Sequence, residues 1–471
     1  MSGWMLRAFH SLPYPARVAA AGVWGYRLRR WRYGGGTDLL TEQALERDRW
    51  STDRWTAWRE ERLAFVLHRA ATRVPFYRDQ WAERRRRGDR ASWEELRNWP
   101  VLDKDEVRRA PQRFVADDRD PSRMYHEHTS GTTGKALDLW WSRETVQHWY
   151  ALFEARWRRW YGVTRHDRWA NCGGQLVAPA ERRSPPFWVW NAPLRQLYLS
   201  SYHLAPDLVP HYVDAMRRHE VRYLWGYTSS LAALAREVTR AGLEPPAMAT
   251  AVANAEPVGA ADREMVAAAF GVPLRETYGM AEIVAAAGEC DGGRLHLWPE
   301  AGHVEVLARG GDAAPVGVTG DLVCTGLLNA DMPLVRYRVG DSGALGADVT
   351  PCACGRRLPS LAHVEGRTDD VVYTRDGRRV GRLDPVFKRR LPVSEAQIVQ
   401  ERLDRVRVRY VADASFTDAD ARDIRTRLRD RLGDVEVVLE AVPELRRGAN
   451  GKLRAVVCAL SDEERRRVGA R

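Results

Sequence analysis

The stretch His128-Thr129-Ser130-Gly131-Thr132-Thr133-Gly134-Lys135 alternates hydroxyl side chains with glycines and ends on a lysine. A strand or helix interior does not take this composition, because each glycine there costs backbone entropy. The octet is a loop. Its glycines let successive backbone N–H groups converge on one anion, its Ser and Thr hydroxyls add donors, and Lys135 adds a positive charge. That is a phosphate-binding chemistry. It is not a Walker loop, which would need glycine where Thr129 stands and Ser or Thr where Ala136 stands.

Downstream of the loop, Leu137, Leu139 and Trp141 alternate as a strand, and Trp149, Phe153, Trp157 and Trp160 recur at helical spacing and are expected in a core. From Val221 the pattern reads as a short apolar strand, a helix over Ser229 to Ala241, a strand over Ala249 to Ala253, a helix over Asp262 to Phe270 and a strand over Leu274 to Tyr278. Strands separated by helices predict parallel pairing with right-handed crossovers, so the fold class is α/β. Ligands of such sheets bind beyond the carboxyl ends of the strands, where Asn254-Ala255-Glu256 and Tyr278-Gly279 fall. Short alternating runs at His303 to Ala308, Gly320 to Thr325 and Leu334 to Arg338 predict a small β subdomain. After Gly366, a hairpin at Val371-Val372-Tyr373 with a turn at Asp376-Gly377, a strand Val406 to Val411, a helix Asp418 to Leu432 and a strand Val435 to Leu439 predict a compact α+β unit.

Upstream, residues 41 to 110 read as helices with arginine-rich outer faces, Glu42 to Arg69 among them, and Arg84-Arg85-Arg86-Arg87 as a solvated turn or helix end. In the first 34 residues, Trp4, Leu6, Val18, Val23, Trp24, Leu28 and Trp31 interleave with Arg17, Arg27, Arg29 and Arg30. Such a segment either lies on an anionic membrane or packs as a helix on the body, and packing is the expectation. A chain of 471 residues with 44% apolar content has room for two or three domains and a buried core. Its formal net charge of +11 is spread among 63 acidic residues rather than gathered in one tract, which argues against nucleic acid and suits a small polyanion. Without a run long enough to span a bilayer or a secretory leader, a cytoplasmic chain is expected.

Six cysteines without a leader argue against a disulfide framework. Cys290-x5-His296 and Cys352-x-Cys354 supply the four ligands of a closed, structural tetrahedral Zn²⁺ site, whereas Cys172, Cys324 and Cys458 sit in apolar runs and are expected to be inert.

Seven further stretches occur in order: Val74-Pro75-Phe76-Tyr77, Leu102-Asp103-Lys104, Gly226-Tyr227-Thr228-Ser229-Ser230-Leu231, Glu276-Thr277-Tyr278-Gly279-Met280-Ala281-Glu282, Arg336-Tyr337-Arg338-Val339-Gly340-Asp341, Gly366-Arg367-Thr368-Asp369-Asp370 and Gly448-Ala449-Asn450-Gly451-Lys452. With the phosphate loop, the chain from about Val74 to Lys452 resembles the adenylate-forming ligases, in the phenylacetate-CoA ligase and CapK-like branch. The resemblance implies a helical N-terminal region over 1–110, an AMP-binding core over 111–367 and a small mobile domain over 368–471. It also implies a reaction: a carboxylate and ATP give an acyl or aryl adenylate and pyrophosphate, and coenzyme A then takes the acyl group. Transfer to an amine or hydroxyl, and a degenerate nucleotide-binding protein, are the alternatives.

Residue by residue, the resemblance assigns Thr129, Ser130, Gly131, Thr132, Thr133, Gly134 and Lys135 to the outgoing phosphates and Glu282 to Mg²⁺. Ala255, Glu256 and Pro257 would lie along the adenine, and Tyr278, followed by Gly279, would stack on it. Asp341 would accept from both ribose hydroxyls and Arg367 would sit beside ribose and phosphate. Lys452, with Lys135 and Glu282, would be catalytic, bridging carboxylate and phosphate, and Asp369 would be the hinge. Trp225, Tyr227, Ala253 and Met280 are expected near an acyl pocket for an aryl or apolar acid. The chain departs from the family at Ala281, where Ser or Thr usually offers the α-phosphate a hydroxyl, a donor worth about 1–3 kcal/mol.

Overall fold

The computed structural model describes residues 8–128, 137–173, 175, 177–179, 182, 184–204, 207–308, 310–347, 352–367, 372–373, 375, 379–380, 383, 386, 391–446, 454 and 456–469. The chain divides into two compact units, one of residues 1–339 and 343–364, the other of 340–342 and 365–471.

The first unit opens with helices α1 (Tyr14–Arg32), α2 (Thr37–Arg47), α3 (Thr52–Arg73) and α4 (Pro75–Arg86). Ser51 caps α3 by accepting from the Arg54 N–H, and Pro75 starts α4 where its missing N–H is harmless. Arg84 to Arg86 form the last turn of α4, where cations complement the helix dipole. The short helix α5 (Lys104–Arg109) carries a capping box made by Asp103 and Glu106.

The strands β1 (Tyr125–His128) and β2 (Asp138–Trp141) form an antiparallel pair around the phosphate-loop segment, whose residues 129–136 lie outside the described ones. Next come α6 (Arg143–Trp157), β3 (Trp169–Gly173), β4 (Trp188–Asn191), β5 (Gln196–Ser200) and α7 (Val209–Arg218). They are followed by β6 (Tyr223–Tyr227), α8 (Thr228–Arg240), β7 (Thr250–Asn254), α9 (Ala260–Phe270) and β8 (Leu274–Gly279). Here β5, β3, β6, β7 and β8 run parallel in that order. The α/β reading is therefore met, with β4 added antiparallel at the edge.

The sheet continues through β9 (Ala286–Glu289), β10 (Leu295–Leu297), β11 (Gly302–Leu307), β12 (Gly320–Gly326), β13 (Tyr337–Leu345) and β14 (Ser360–Arg367), in the order β11-β12-β13-β14-β10-β9-β8. The strands expected as a small β subdomain thus form one end of this sheet. The run Leu334 to Arg338 becomes strand only from Tyr337, because Arg336 takes a left-handed conformation with φ 46°.

Alternate residues of the parallel strands feed two cores. Trp169, Tyr223, Trp225 and Val252 point into one with Trp149, Trp157 and Trp160, while Ala170, Leu224, Ala251 and Ala253 point into the other with Tyr212, Leu231 and Val266 of the crossover helices. This is the period of two expected of a strand buried on both faces. Truncating a buried Trp here to Ala would cost about 3–5 kcal/mol.

In the second unit, β15 (Val372–Tyr373) and β16 (Arg379–Val380) pair antiparallel. Asp376 and Gly377 lie outside the described residues. Strands β17 (Val393–Arg402) and β18 (Arg405–Ala412) form a hairpin, and the capped helix α10 (Asp418–Leu432) crosses to β19 (Glu436–Ala441), parallel to β18. The strand β20 (Val456–Cys458) lies parallel to β17, and α11 (Asp462–Gly469) follows. Ile398, Val406, Val408, Ile424, Leu428 and Val456 form this unit's own core.

Candidate active site

The carboxyl ends of β6, β7 and β8 meet the starts of α8 and of the loops after Asn254 and Gly279. Glu256 ties two of these together: its carboxylate accepts from the Ser229 N–H at 2.8 Å and the Ser229 hydroxyl at 3.1 Å, and its carbonyl accepts from Thr228 Oγ1 at 3.1 Å. A carboxylate at a helix start satisfies an orphan N–H and complements the dipole. The preceding residue, Ala255, is left-handed with φ 61°, an uncommon state for alanine. Asn254 Oδ1 is buried at the end of β7 and meets no hydrogen-bond donor among the described residues. As an amide oxygen it can accept from an N–H or O–H.

Two glycines are required by close approach. A Cβ on Gly226 would lie 2.6 Å from the Cys172 carbonyl oxygen, and one on Gly279 would lie 2.9 Å from the Trp157 ring. The indole of Trp157 is fixed by donating to the Ala287 carbonyl at 2.9 Å, so it cannot yield.

Glu282 follows in the loop after β8, its side chain only 6% exposed. Lys104 Nζ lies 3.0 Å from Glu282 Oε1, and the Tyr337 hydroxyl donates to the same oxygen at 2.9 Å. Three distant segments converge to make this contact. Leu102 bridges Tyr337 in parallel, its N–H donating to the Arg336 carbonyl at 2.9 Å and its carbonyl accepting from the Arg338 N–H at 3.0 Å. Arg336 is braced in turn by the Glu305 carboxylate and the Trp99 carbonyl. Neither Lys104 nor Tyr337 had been given a role from sequence, although both lie in the stretches that carry the resemblance. Their chemistry points to a site that handles charge.

Of the other expected site residues, Tyr278 is half-buried, and Ala255, Pro257 and Gly279 are exposed at the same strand ends. Met280 and Tyr227 are half-buried there. Trp225 stacks on Phe153 with centroids 4.9 Å apart, whereas Ala253 is fully buried in the core on the opposite face of the sheet. Asp341 lies on β13 and Arg367 ends β14, both in segments that group with the second unit. The phosphate loop 129–135, Asp369 and Lys452 lie outside the described residues.

A separate cluster joins the turn after β9, strand β10 and the segment between β13 and β14. One ligand atom from each of Cys290, His296, Cys352 and Cys354 lies within 4.8 Å of the others. Cys290 Sγ and Cys352 Sγ are 3.5 Å apart, and Cys354 Sγ and His296 Nε2 are 3.4 Å apart. The edges of a tetrahedron around a zinc ion would be about 3.5–3.8 Å for such ligands. His296 Nδ1 is 3.1 Å from the Leu358 carbonyl, a contact that leaves Nε2 for a metal. Burial pushes the Cys290 thiol up to about 11, so a cation is what would hold it as thiolate.

Around the cluster, Arg356 stacks on Trp160, whose indole donates to Asp48 at 2.8 Å. The Asp48 carbonyl accepts from the Arg357 N–H. Arg156, fully buried, joins Asp48 to Glu300. Burial opposes the charge on Glu300, but Arg156 and Arg47 outweigh it and hold its carboxyl below the usual range.

Comparison with known proteins agrees with this architecture. Residues 372–459 match the model of the CapK C-terminal domain. The protein CapK of Staphylococcus aureus is 24% identical over 337 residues, covering 71% of this chain and 72% of that one. A phenylacetate-coenzyme A ligase of Thermus thermophilus is 35% identical over 149 residues, 30% of this chain and 33% of that one. Among solved structures, a 2-hydroxyisobutyryl-CoA ligase in the postadenylation state, in complex with 2-HIB-AMP, superposes with a TM-score of 0.63 at 20% identity, covering 88% of this chain and 90% of that one. The fold is that of the adenylate-forming CoA ligases.

Proposed function

We propose that this homologue of CapK and of the phenylacetate-coenzyme A ligases is an AMP-forming acid ligase. It joins a carboxylic acid to ATP as an acyl or aryl adenylate with release of pyrophosphate, then passes the acyl group to coenzyme A. The observation that carries this reading is the buried Glu282 carboxylate, bound to Lys104 and Tyr337 beside the ends of β7 and β8. Adenylation brings two anions together and builds charge at the α-phosphorus, so it needs fixed donors, cations and a metal.

In this reading the backbone and hydroxyls of 129–134 and the Lys135 ammonium bind the outgoing phosphates. Glu282 is the residue that would hold Mg²⁺, which supplies Lewis-acid neutralisation of phosphate charge. Ala255, Glu256 and Pro257 line the adenine, Tyr278 stacks on it, and the unpartnered Asn254 Oδ1 is suited to accept from a base N–H. Asp341 accepts from the ribose hydroxyls, Arg367 neutralises phosphate charge, and Lys452 acts as a point charge between carboxylate and phosphate. Trp225, Tyr227 and Met280 are assigned to the acyl side, which favours an aryl or apolar acid, whereas Ala253, expected there too, is buried in the core on the other face of the sheet. Cys290, His296, Cys352 and Cys354 would hold a structural Zn²⁺: the donor set is complete, its atoms lie within 4.8 Å of one another, and the Cys290–Cys352 and Cys354–His296 spacings of 3.5 and 3.4 Å are close to tetrahedral edges.

The test is acid-dependent pyrophosphate release from ATP across a panel of aryl and aliphatic acids, with and without coenzyme A. Pyrophosphate together with a coenzyme A thioester is expected. ADP and orthophosphate would overturn adenylation, and an adenylate that acylates only amines or hydroxyls would overturn the acceptor.

A further inference from the structure

Helix α1 packs one face on the body. Arg17 is 1% exposed and donates to the Val177 carbonyl at 2.9 Å, Leu28 is buried, and a Cβ on Gly25 would collide with the Asn191 side chain. Among the described residues, the opposite face is left uncovered. Pro15, Ala19, Ala20, Val23 and Trp24 are all exposed, Val23 at 75% and Trp24 at 53%, Tyr26 beside them is 57% exposed, and Leu12 just before the helix is exposed too. From Ser11 to Tyr26 the charged residue is Arg17, which is buried, so this outward face is apolar for about four turns. It then becomes basic, with Arg27, Arg29 and Arg30 exposed. No acidic residue precedes Asp38 in the chain.

Beside this face opens a groove of about 570 Å³, in which Trp24, Arg27, Leu28 and Trp31 of the helix face Met124 and Trp140. Single exposed apolar residues are ordinary, but a row along one helix face, ending in Trp, Tyr and a cluster of arginines, is a different arrangement. It places apolar groups where acyl chains would be, amphipathic rings at the boundary and guanidinium groups at the level of lipid phosphates. The absence of acid from residues 1–37 favours an anionic surface, where each carboxylate would be repelled, over a protein partner of mixed charge.

We propose that the outward face of α1 docks the protein, as a peripheral attachment, on the surface of an anionic phospholipid bilayer. No described helix is long and apolar enough to cross a membrane, so the attachment is interfacial. The face uses none of the residues assigned to adenylation, and the proposal is independent of that reading.

The test is co-sedimentation of the full chain with vesicles of phosphatidylcholine alone and of phosphatidylcholine mixed with phosphatidylglycerol. Binding to the mixed vesicles should exceed binding to neutral ones by about tenfold or more at ~0.1 M salt and collapse near ~1 M, where screening is complete. Val23→Asp with Trp24→Asp, and separately Arg27→Glu with Arg30→Glu, should each lower the bound fraction about tenfold, with thermal midpoints unchanged because these side chains are exposed. Equal binding to both vesicle types, no binding to either, or full binding by both double variants would overturn the proposal. So would a wild-type dimer that Val23→Asp with Trp24→Asp turns into a monomer without change in vesicle binding, since the face would then belong to a second copy.

Discussion

At Glu282 one carboxylate oxygen receives both the Tyr337 hydroxyl and the Lys104 ammonium, from residues 55 and 178 positions away. Replacing Glu282 by Gln keeps the shape but removes the charge, leaving Lys104, whose side chain is 20% exposed, beside a neutral amide. Pyrophosphate release should fall by about a hundredfold or more, with a raised requirement for Mg²⁺. Tyr337→Phe removes the hydrogen bond to Glu282 and should cost about 1 kcal/mol of stability with a far smaller loss of rate. A titration of rate against Mg²⁺ checks both, and a Gln variant with wild-type rate and Mg²⁺ dependence would remove Glu282 from the chemistry. Glu282 stood out in the sequence because it closes a local run from Glu276. Its partners did not, because nothing in a sequence read locally reports a contact made across the fold.

At the scale of elements, the four cysteine and histidine ligands come from three connected pieces of chain, so a metal there would fasten β9, β10 and the segment before β14 to one another. Zinc should copurify at about one equivalent per chain, and Cys352→Ser should lower the thermal midpoint more than it changes affinity for ATP. Protein purified without chelator and free of zinc would refute the site. His303, on β11, offers a pH test: burial, with Arg59 adding to it, pushes its imidazole down from 6.5 to about 4. The unfolded chain therefore takes up this proton first as pH falls, so stability is full above 6.5 and declines toward 4. His303→Gln should flatten the part of the thermal midpoint's decline that falls in that window, and a variant with an unchanged profile would refute the assignment. Periodicity made α10 legible to the residue, since Thr417 caps it and Gly433 follows its end. It also made β6 and β7 legible, because each is a short apolar run followed by a helical pattern. By contrast β17 reads Val393-Ser394-Glu395-Ala396-Gln397-Ile398-Val399-Gln400-Glu401-Arg402, too polar to register as a strand until its neighbours supply the apolar face. The order of β3, β4 and β5 was hidden for a similar reason: β4 inserts at the sheet edge through a connection with no period of its own.

For the whole molecule, the two units set apart the assignments made to them. Lys452 belongs to the unit built on β17 to β20, whereas Glu282 belongs to the other. If Lys452 serves adenylation alone, Lys452→Ala should reduce acid-dependent pyrophosphate release by about a hundredfold, about 2.7 kcal/mol, and still convert presynthesised acyl adenylate to product. Asp369→Pro, which stiffens the backbone, should keep adenylation and impair transfer. Equal loss of both half-reactions in the lysine variant would end that division of labour. The chain also crosses itself on a long scale. The N-terminal helices are held by late partners: Asp48 by the Arg357 N–H, α3 through Arg62 and Arg69 to the carbonyls of Leu327 and Ala330, and Leu102 by Arg336. The first hundred residues therefore leave the ribosome roughly 250–300 residues ahead of the chain that completes them, a wait of about 12–60 s at 5–20 residues per second. During that interval the face of α3 that later meets the 327–331 segment through Arg62 and Arg69 lacks that partner. The nascent protein is thus a natural client for chaperones that bind exposed apolar helices, and slowing translation between residues 110 and 300 lengthens its exposure rather than helping it fold.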